Sequence, residues 1–166
     1  MIFIGIDPGL SGAAVALDLH GGAVYFEPPS TDGNIRVHES LKIFGFLVPF
    51  ADRATAVLEQ VRLDQRDARH MVSAEKLIRS HECWRTNLEI LKIPTQHLYP
   101  VQWRKPLGLS GDDGEVYVNE ALRLYPDCRT WLYYKSRNGR WAMNHNRAEA
   151  VLMAHLAKIQ HLEQAA

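Results

Sequence analysis

The first nine residues constrain this chain more than any other stretch. Met1-Ile2-Phe3-Ile4-Gly5-Ile6 is apolar at both sets of alternate positions, and it ends on a carboxylate, Asp7, followed at once by Pro8-Gly9. A short run that is apolar on both faces belongs to a central strand covered on both sides. Pro-Gly then turns the chain. Asp7 therefore closes a buried strand, on the same face as Phe3 and Gly5. A carboxylate there must be paired, neutralised or bound to a cation. An aspartate before Pro-Gly also suits a plain turn, so Asp7 alone does not decide between the two.

The pattern after residue 9 supplies partners for that strand. Ala13 to Leu19 and Ala23 to Phe26 read as strands separated by the hairpin signal His20-Gly21-Gly22. A helix is expected from Ile35 to Phe50, and a second buried strand from Thr55 to Val61. A helix from Ser73 to Leu91, capped by Ser73, precedes Pro94 and a short strand from Thr95 to Tyr99. One helical turn over Pro100 to Leu107 follows. Asp112-Asp113-Gly114 introduces a helix to Leu124, stopped by Pro126, and a last helix starts near Asn144–Asn146 and runs to Glu163. This order predicts an α/β fold with a mixed sheet of five strands, three antiparallel and then two parallel, flanked by helices.

The 166 residues suit one domain, 1–166, able to bury roughly 70% of the surface its unfolded form exposes. With 46% hydrophobic and 23% charged residues the chain is not disordered. Its two cysteines, Cys83 and Cys128, form no CxxC pair, which excludes a disulfide scaffold and a cysteine-based zinc site and fits a reducing compartment. No apolar run approaches the ~20 residues of a membrane span. The N-terminus lacks the basic start of a secretory signal. The expected location is the cytoplasm, with no membrane partner.

The net charge of zero conceals a gradient. Residues 1–61 carry three Lys/Arg against seven Asp/Glu, whereas residues 62–105 carry nine against five. Arg62, Arg66, Arg69, Lys76, Arg79 and Arg85 lie in that basic third, followed by Arg104 and Lys105. An acidic segment followed by a basic one suits a site where carboxylates and a polyanion meet through a cation. A solvated helix surface explains the same residues equally well.

Two further carboxylates stand where carboxylates are expensive. Glu59 shares a strand face with Val57 and Val61. Glu149 lies in the stripe His145, Glu149, Leu152, Leu156, Ile159, the core-facing one by helical period. Each has a bland reading: Glu59 is near Arg62, and Asn146-Arg-Ala-Glu149 has capping-box spacing with Asn146 as N-cap. Convergence of all three with Asp7 is the functional alternative.

The string Ile4-Gly5-Ile6-Asp7-Pro8-Gly9-Leu10-Ser11-Gly12-Ala13-Ala14 closely resembles the opening of RuvC-like Holliday-junction resolvases, which are RNase H-like nucleases. Val57-Leu58-Glu59-Gln60-Val61 is similar to that family's strand ending in Glu-Gln. The run from His145 through Glu149 to Ala154 looks like the C-terminal helix of phage-type members. Leu91 to Pro94 and Tyr99 to Lys105, with a Pro-x-x-Trp-basic signature, resemble the middle region. The resemblance spans nearly the whole chain in order. It departs on the last helix, where bacterial members typically carry two acidic residues three apart and this chain has neutral Asn146, with His145 one residue earlier.

The resemblance implies a single RNase H-like nuclease domain that resolves four-way and other branched DNA. Its catalytic residues would be Asp7, Glu59, His145 and Glu149. Two Mg²⁺ ions, with Mn²⁺ able to substitute, would be held by Asp7, Glu59 and Glu149, with Asn146 or His145 as the fourth group. Arg62, Arg66, Arg69, Lys76, Arg79, Arg104 and Lys105 would track DNA phosphates. Trp84, Trp103, Trp131, Tyr133 and Tyr134 serve either as stacking groups or as core, with Trp103 reading as packing. Paired cuts across a two-fold junction imply a homodimer, and the first place to seek its interface is an apolar face of the Ser73–Leu91 helix. Three other readings stay open: a nuclease on RNA–DNA hybrids or flaps, a non-catalytic branched-DNA binder, and the actin-like fold, for which the chain is short.

Overall fold

The computed structural model describes residues 1–9, 11–26, 37–61, 71–111, 113–136 and 138–166. Strands β1 (Ile2–Asp7), β2 (Ala13–Asp18), β3 (Ala23–Phe26), β4 (Ala54–Glu59) and β5 (Thr95–Leu98) form one sheet in the order β3-β2-β1-β4-β5. β1, β2 and β3 pair antiparallel, whereas β1, β4 and β5 run parallel. The mixed α/β sheet expected from the sequence is the one observed. β1, apolar up to its terminal Asp7, lies at its centre.

Helices α1 (Val37–Leu47) and α2 (Met71–Ile90) cover one face. Ile4, Ile6, Ala14, Ala16 and Leu58 meet Ile43, Leu47, Trp84 and Leu88 there. After α3 (Pro100–Arg104) come α4 (Gly114–Leu124), α5 (Arg129–Leu132) and α6 (His145–Ala165). On the opposite face Phe3, Val15, Leu17 and Val57 pack against α4 and α6. The period-2 alternation of β1 thus sends Phe3, Gly5 and Asp7 toward α6, and Ile4 and Ile6 toward α1 and α2. No helix among the described residues is long and apolar enough to cross a membrane.

Several boundaries differ from expectation for identifiable reasons. The first long helix ends at Leu47, and residues Val48–Arg53 continue as a 3₁₀ helix, because Pro49 has no amide hydrogen for an α-helical bond. α2 begins at Met71, so Ser73 lies inside it and is no N-cap; serine tolerates a helix interior at small cost. β4 ends at Glu59, two residues before the expected end. The segment between α4 and α6, for which the sequence predicts no element, holds α5 and a separate two-stranded sheet of β6 (Tyr133–Lys135) and β7 (Trp141–Met143). Strands of three residues are too short for a period to register.

α6 is capped by Asn144, whose side-chain oxygen accepts the Arg147 amide hydrogen at 3.1 Å. The capping box with Asn146 as N-cap is therefore not formed, because Asn144 reaches the free amides first. Glu149 is left without a capping role.

Candidate metal centre

The parallel register of β1 and β4 aligns Ile6 with Leu58, so Asp7 and Glu59 follow as neighbours at the carboxyl ends of two adjacent central strands. That edge of an open α/β sheet is where ligands usually bind. Gly5 brings the third carboxylate. A methyl group at Gly5 would collide with the Ala150 carbonyl oxygen and the Ala154 amide nitrogen, so α6 lies directly on the β1 backbone. Ala150 and Ala154, both buried, keep that side of α6 thin. Glu149, on the first turns of the helix, is thereby lowered onto the strand ends. One carboxylate oxygen from each of Asp7, Glu59 and Glu149 lies within 4.8 Å of the other two.

The electrostatics of the cluster are those of an anionic site. Burial raises the Asp7 carboxyl well above the ordinary carboxylate range, the charges of Glu59 and Glu149 raise it further, and Arg104 opposes them. Three hard oxygen donors with excess negative charge suit Mg²⁺ or Mn²⁺ and do not suit a soft metal. The donor set therefore fits the ion that the sequence resemblance implies.

Side chains behind the carboxylates fix their positions. The Trp103 Nε1–H donates to Glu59 Oε2 at 2.7 Å. Trp103 is fully buried, so the indole both fills the core, as expected, and orients a candidate metal ligand, which was not expected. Arg104 stands 3.6 Å from Glu149 Oε1, with its guanidinium near the faces of Trp103 and Tyr117 and bonded to the Gly111 carbonyl at 3.2 Å. Arg104 thus points into the protein beside the acidic group, and Lys105 next to it is exposed. The sequence gives no sign of this inward turn, because adjacent basic residues on a one-turn helix look alike.

The turn after β1 forms the other wall. The Gly9 amide donates to Ser80 Oγ at 2.9 Å, and Gly12 packs so closely on the Asp7 carbonyl that no side chain fits there. Asn146 Nδ2 donates to the Ser11 carbonyl at 2.6 Å, tying α6 to the same turn. A cleft of about 360 Å³ runs past Asp7, Gly9, Ser11, Lys76 and Asn146. His145, exposed at the first position of α6, lies against Gly114 and is not in the converging group.

Of the expected phosphate contacts, Arg62, Arg66 and Arg69 lie outside the described residues. Lys76 reaches the Asp7 cleft. Arg79 pairs with Glu75 at 2.6 Å, and Arg85 pairs with Glu82 and Glu89, as solvated helix surface does. The apolar side of α2 is occupied by the core through Trp84 and Leu88, while Ile78 and Ile90 are exposed. Trp131 stacks on Tyr25 at 5.1 Å, Tyr133 lies under Arg129, and Tyr134 is exposed.

No protein-family model matches the chain, and no curated protein matches it. Among solved structures it is similar to T. thermophilus RuvC in complex with Holliday junction substrate, at 16% identity and a TM-score of 0.61, covering 98% of this chain and 96% of that one. It is likewise similar to a Thermus thermophilus RuvC structure, at 16% identity and a TM-score of 0.55, covering 98% of this chain and 97% of that one. The chain therefore has the RuvC fold over nearly its whole length, with an acidic triad where β1, β4 and α6 converge.

Proposed function

We propose that this chain is a metal-dependent endonuclease that resolves four-way and other branched DNA junctions by paired phosphodiester hydrolysis. The observation that carries this reading is the convergence of the Asp7, Glu59 and Glu149 oxygens within 4.8 Å. The fold adds weight, because a similar structure holds a Holliday junction substrate.

In this reading Asp7, Glu59 and Glu149 would together hold the divalent ions. Asn146, which lines the Asp7 cleft, is better placed than His145 to complete the set. Bound Mg²⁺, or Mn²⁺ in its place, supplies Lewis-acid stabilisation of phosphate charge and a more acidic water. The protein's own part is positional. Trp103 holds Glu59 by its indole N–H, Arg104 steadies Glu149, and the Gly9–Gly12 turn leaves the Asp7 end open to a phosphate. Lys76 offers a phosphate contact at the cleft, and Lys105 a second on the surface. A homodimer supplies two such sites for two matched cuts.

The test is an end-labelled immobile four-way junction beside a matched linear duplex, in Mg²⁺ and in EDTA, with Glu59→Gln as control. Symmetric paired nicks confined to the junction, dependent on metal and absent in the variant, are expected. Cutting of an RNA–DNA hybrid in preference to the junction would overturn the substrate assignment. Tight junction binding without cutting in either Mg²⁺ or Mn²⁺ would make the chain a binding protein, in which neutral Asn146 fails to replace an acid.

A further inference from the structure

The β6–β7 ribbon stands apart from the main sheet and exposes residues that folding alone does not call for. Trp141 is 71% exposed and Tyr134 43%, although tryptophan is usually among the well-buried residues. By register Lys135 opposes Trp141 and Tyr133 opposes Met143, so Lys135, Trp141 and Met143 share one face of the ribbon. The sequence around it is one-sided in charge: from Arg129 to Ala148 there are five Lys/Arg and no Asp or Glu.

The ribbon is anchored to the candidate centre. The Asn144 amide bonds to the Leu132 carbonyl at 2.9 Å, and Arg147 Nη1 to the Trp131 carbonyl at 2.6 Å, so its base is fixed to the start of α6. A second cleft, of about 530 Å³, runs from Tyr134 and Met143 past Asn144 to Ser11 and Asn146. Ser11 and Asn146 also line the Asp7 cleft, so the two depressions adjoin at this pair.

We infer that the β6–β7 ribbon is a single-strand binding element, on which an unpaired DNA base stacks against Trp141 while Lys135 and Arg140 contact the adjoining phosphates. This rests on the nuclease reading for its purpose, since a branch point offers unpaired bases, and it names how the same site would tell a branch from plain duplex. An exposed aromatic among uncompensated cations is the combination that binds single strands, stacking giving sequence-tolerant affinity and cations tracking the backbone. The alternative occupant, a second copy of this chain seated on the same face, would set Lys135 and Arg140 against their own copies, and like charges across an isologous interface are unfavourable.

The test uses binding in EDTA, so cleavage plays no part. Labelled oligothymidylate and a matched duplex are titrated with the full chain, Trp141→Ala and Trp141→Phe, and tryptophan emission is followed alongside. We expect oligothymidylate to quench exposed-tryptophan emission in the parent, and Trp141→Ala to lose at least about tenfold in affinity for it. Trp141→Phe should recover most of that affinity, and the duplex should lose less. Parent-like oligothymidylate binding by Trp141→Ala would overturn the inference, as would equal losses on both DNAs. A Trp141→Ala chain that becomes monomeric in sedimentation while binding DNA as before would overturn it in favour of a contact between copies. Because oligothymidylate has neither branch nor need of metal, a chain that never cuts junctions can still pass this test, and a resolvase can fail it.

Discussion

The two faces of the central sheet are both dry, yet they are built on different principles. Toward α1 and α2, Ile4, Ile6 and Leu58 meet Ile43, Leu47, Trp84 and Leu88, large side chains that fill volume and carry no ionised group. Toward α6, Phe3, Val15, Leu17 and Val57 also fill volume, but at Gly5 the strand meets Ala150 and Ala154 with backbone nearly touching backbone, and this face ends in three carboxylates. The first face can relax when a side chain changes, as cores do at a measurable cost. At Gly5 the second cannot, because a strand and a helix in direct backbone contact have no side chain there to yield. Both faces supply stability, and the α6 face in addition fixes the distance between Asp7 and Glu149.

The sharpest way to break that contrast is to remove a charge from the α6 face. Asp7→Asn should lower metal-dependent cleavage by at least about 10²–10³-fold, the scale on which losing one group that stabilises transition-state charge acts. The same change should raise the thermal midpoint in EDTA by several degrees, since it removes a buried charge repelled by two neighbours. About 1 kcal/mol moves the midpoint of a domain this long by roughly 2–4 °C. Parallel loss of cleavage and of stability would mean that Asp7 serves the fold and not the reaction.

A matched pair of substitutions then separates the faces. Gly5→Ala should destabilise by about 3 kcal/mol, at the upper end for overpacking, because its neighbours are backbone atoms. Leu58→Ala should cost a comparable amount, about 2–5 kcal/mol, by leaving a cavity. Chemical denaturation measures both. Cleavage per folded molecule, assayed well below each midpoint, should fall sharply for Gly5→Ala and stay near the parent for Leu58→Ala. Equal activities would refute a positioning role for the α6 face.

The sequence carries this contrast unevenly. Asp7, Glu59 and Glu149 are legible because each interrupts an apolar face whose period is plain, and the order of strands and helices follows from the same periods. Trp103 and Arg104 are visible only as a tryptophan beside a cation. That one donates to Glu59 and the other turns inward to Glu149 depends on where a single helical turn lands in three dimensions. The cap on α6 is a near tie in sequence, with Asn144 and Asn146 both able to serve, and amide geometry decides it. The ribbon carries no period at all, yet the stretch around it from Arg129 to Ala148, with five cations and no acid, is plain in the sequence, and Trp141 stands within it.

Trp103→Phe tests the positioning shell with a smaller effect. It keeps an aromatic ring against Tyr117 and removes the N–H that reaches Glu59, along with part of the indole's volume. Cleavage or metal affinity should fall by roughly 10–100-fold, as when an outer-shell partner of a metal ligand is lost. Stability should fall by about 1–3 kcal/mol, from the lost bond and the space left by the smaller ring. A variant as active as the parent would show that Glu59 is held by its strand alone.

The smallest expected effect is a pH dependence, and its sign is fixed by the Asp7 shift. The carboxyl is raised in the folded chain, first by burial and then by Glu59 and Glu149, while in the unfolded chain it titrates near 3.9. Below that pH both states hold the proton, and Asp7 imposes no ionic penalty on the fold. As pH rises through the folded value, the native chain must give up a proton that it holds more tightly than the unfolded chain does, so stability is lost across that interval. In EDTA the midpoint of Asp7→Asn minus that of the parent should be smallest in acid and grow as pH rises, levelling off only above the raised folded value. Added Mg²⁺ should shrink the difference at neutral pH, since an ion bound only to the folded parent stabilises it by mass action. A difference that stays flat with pH would mean that neighbouring charges, and not the ionisation of Asp7, set the strain of the site. The α1–α2 face, which contributes no carboxylate to the sheet, offers the control: Leu58→Ala should shift the midpoint by the same amount at every pH in that interval.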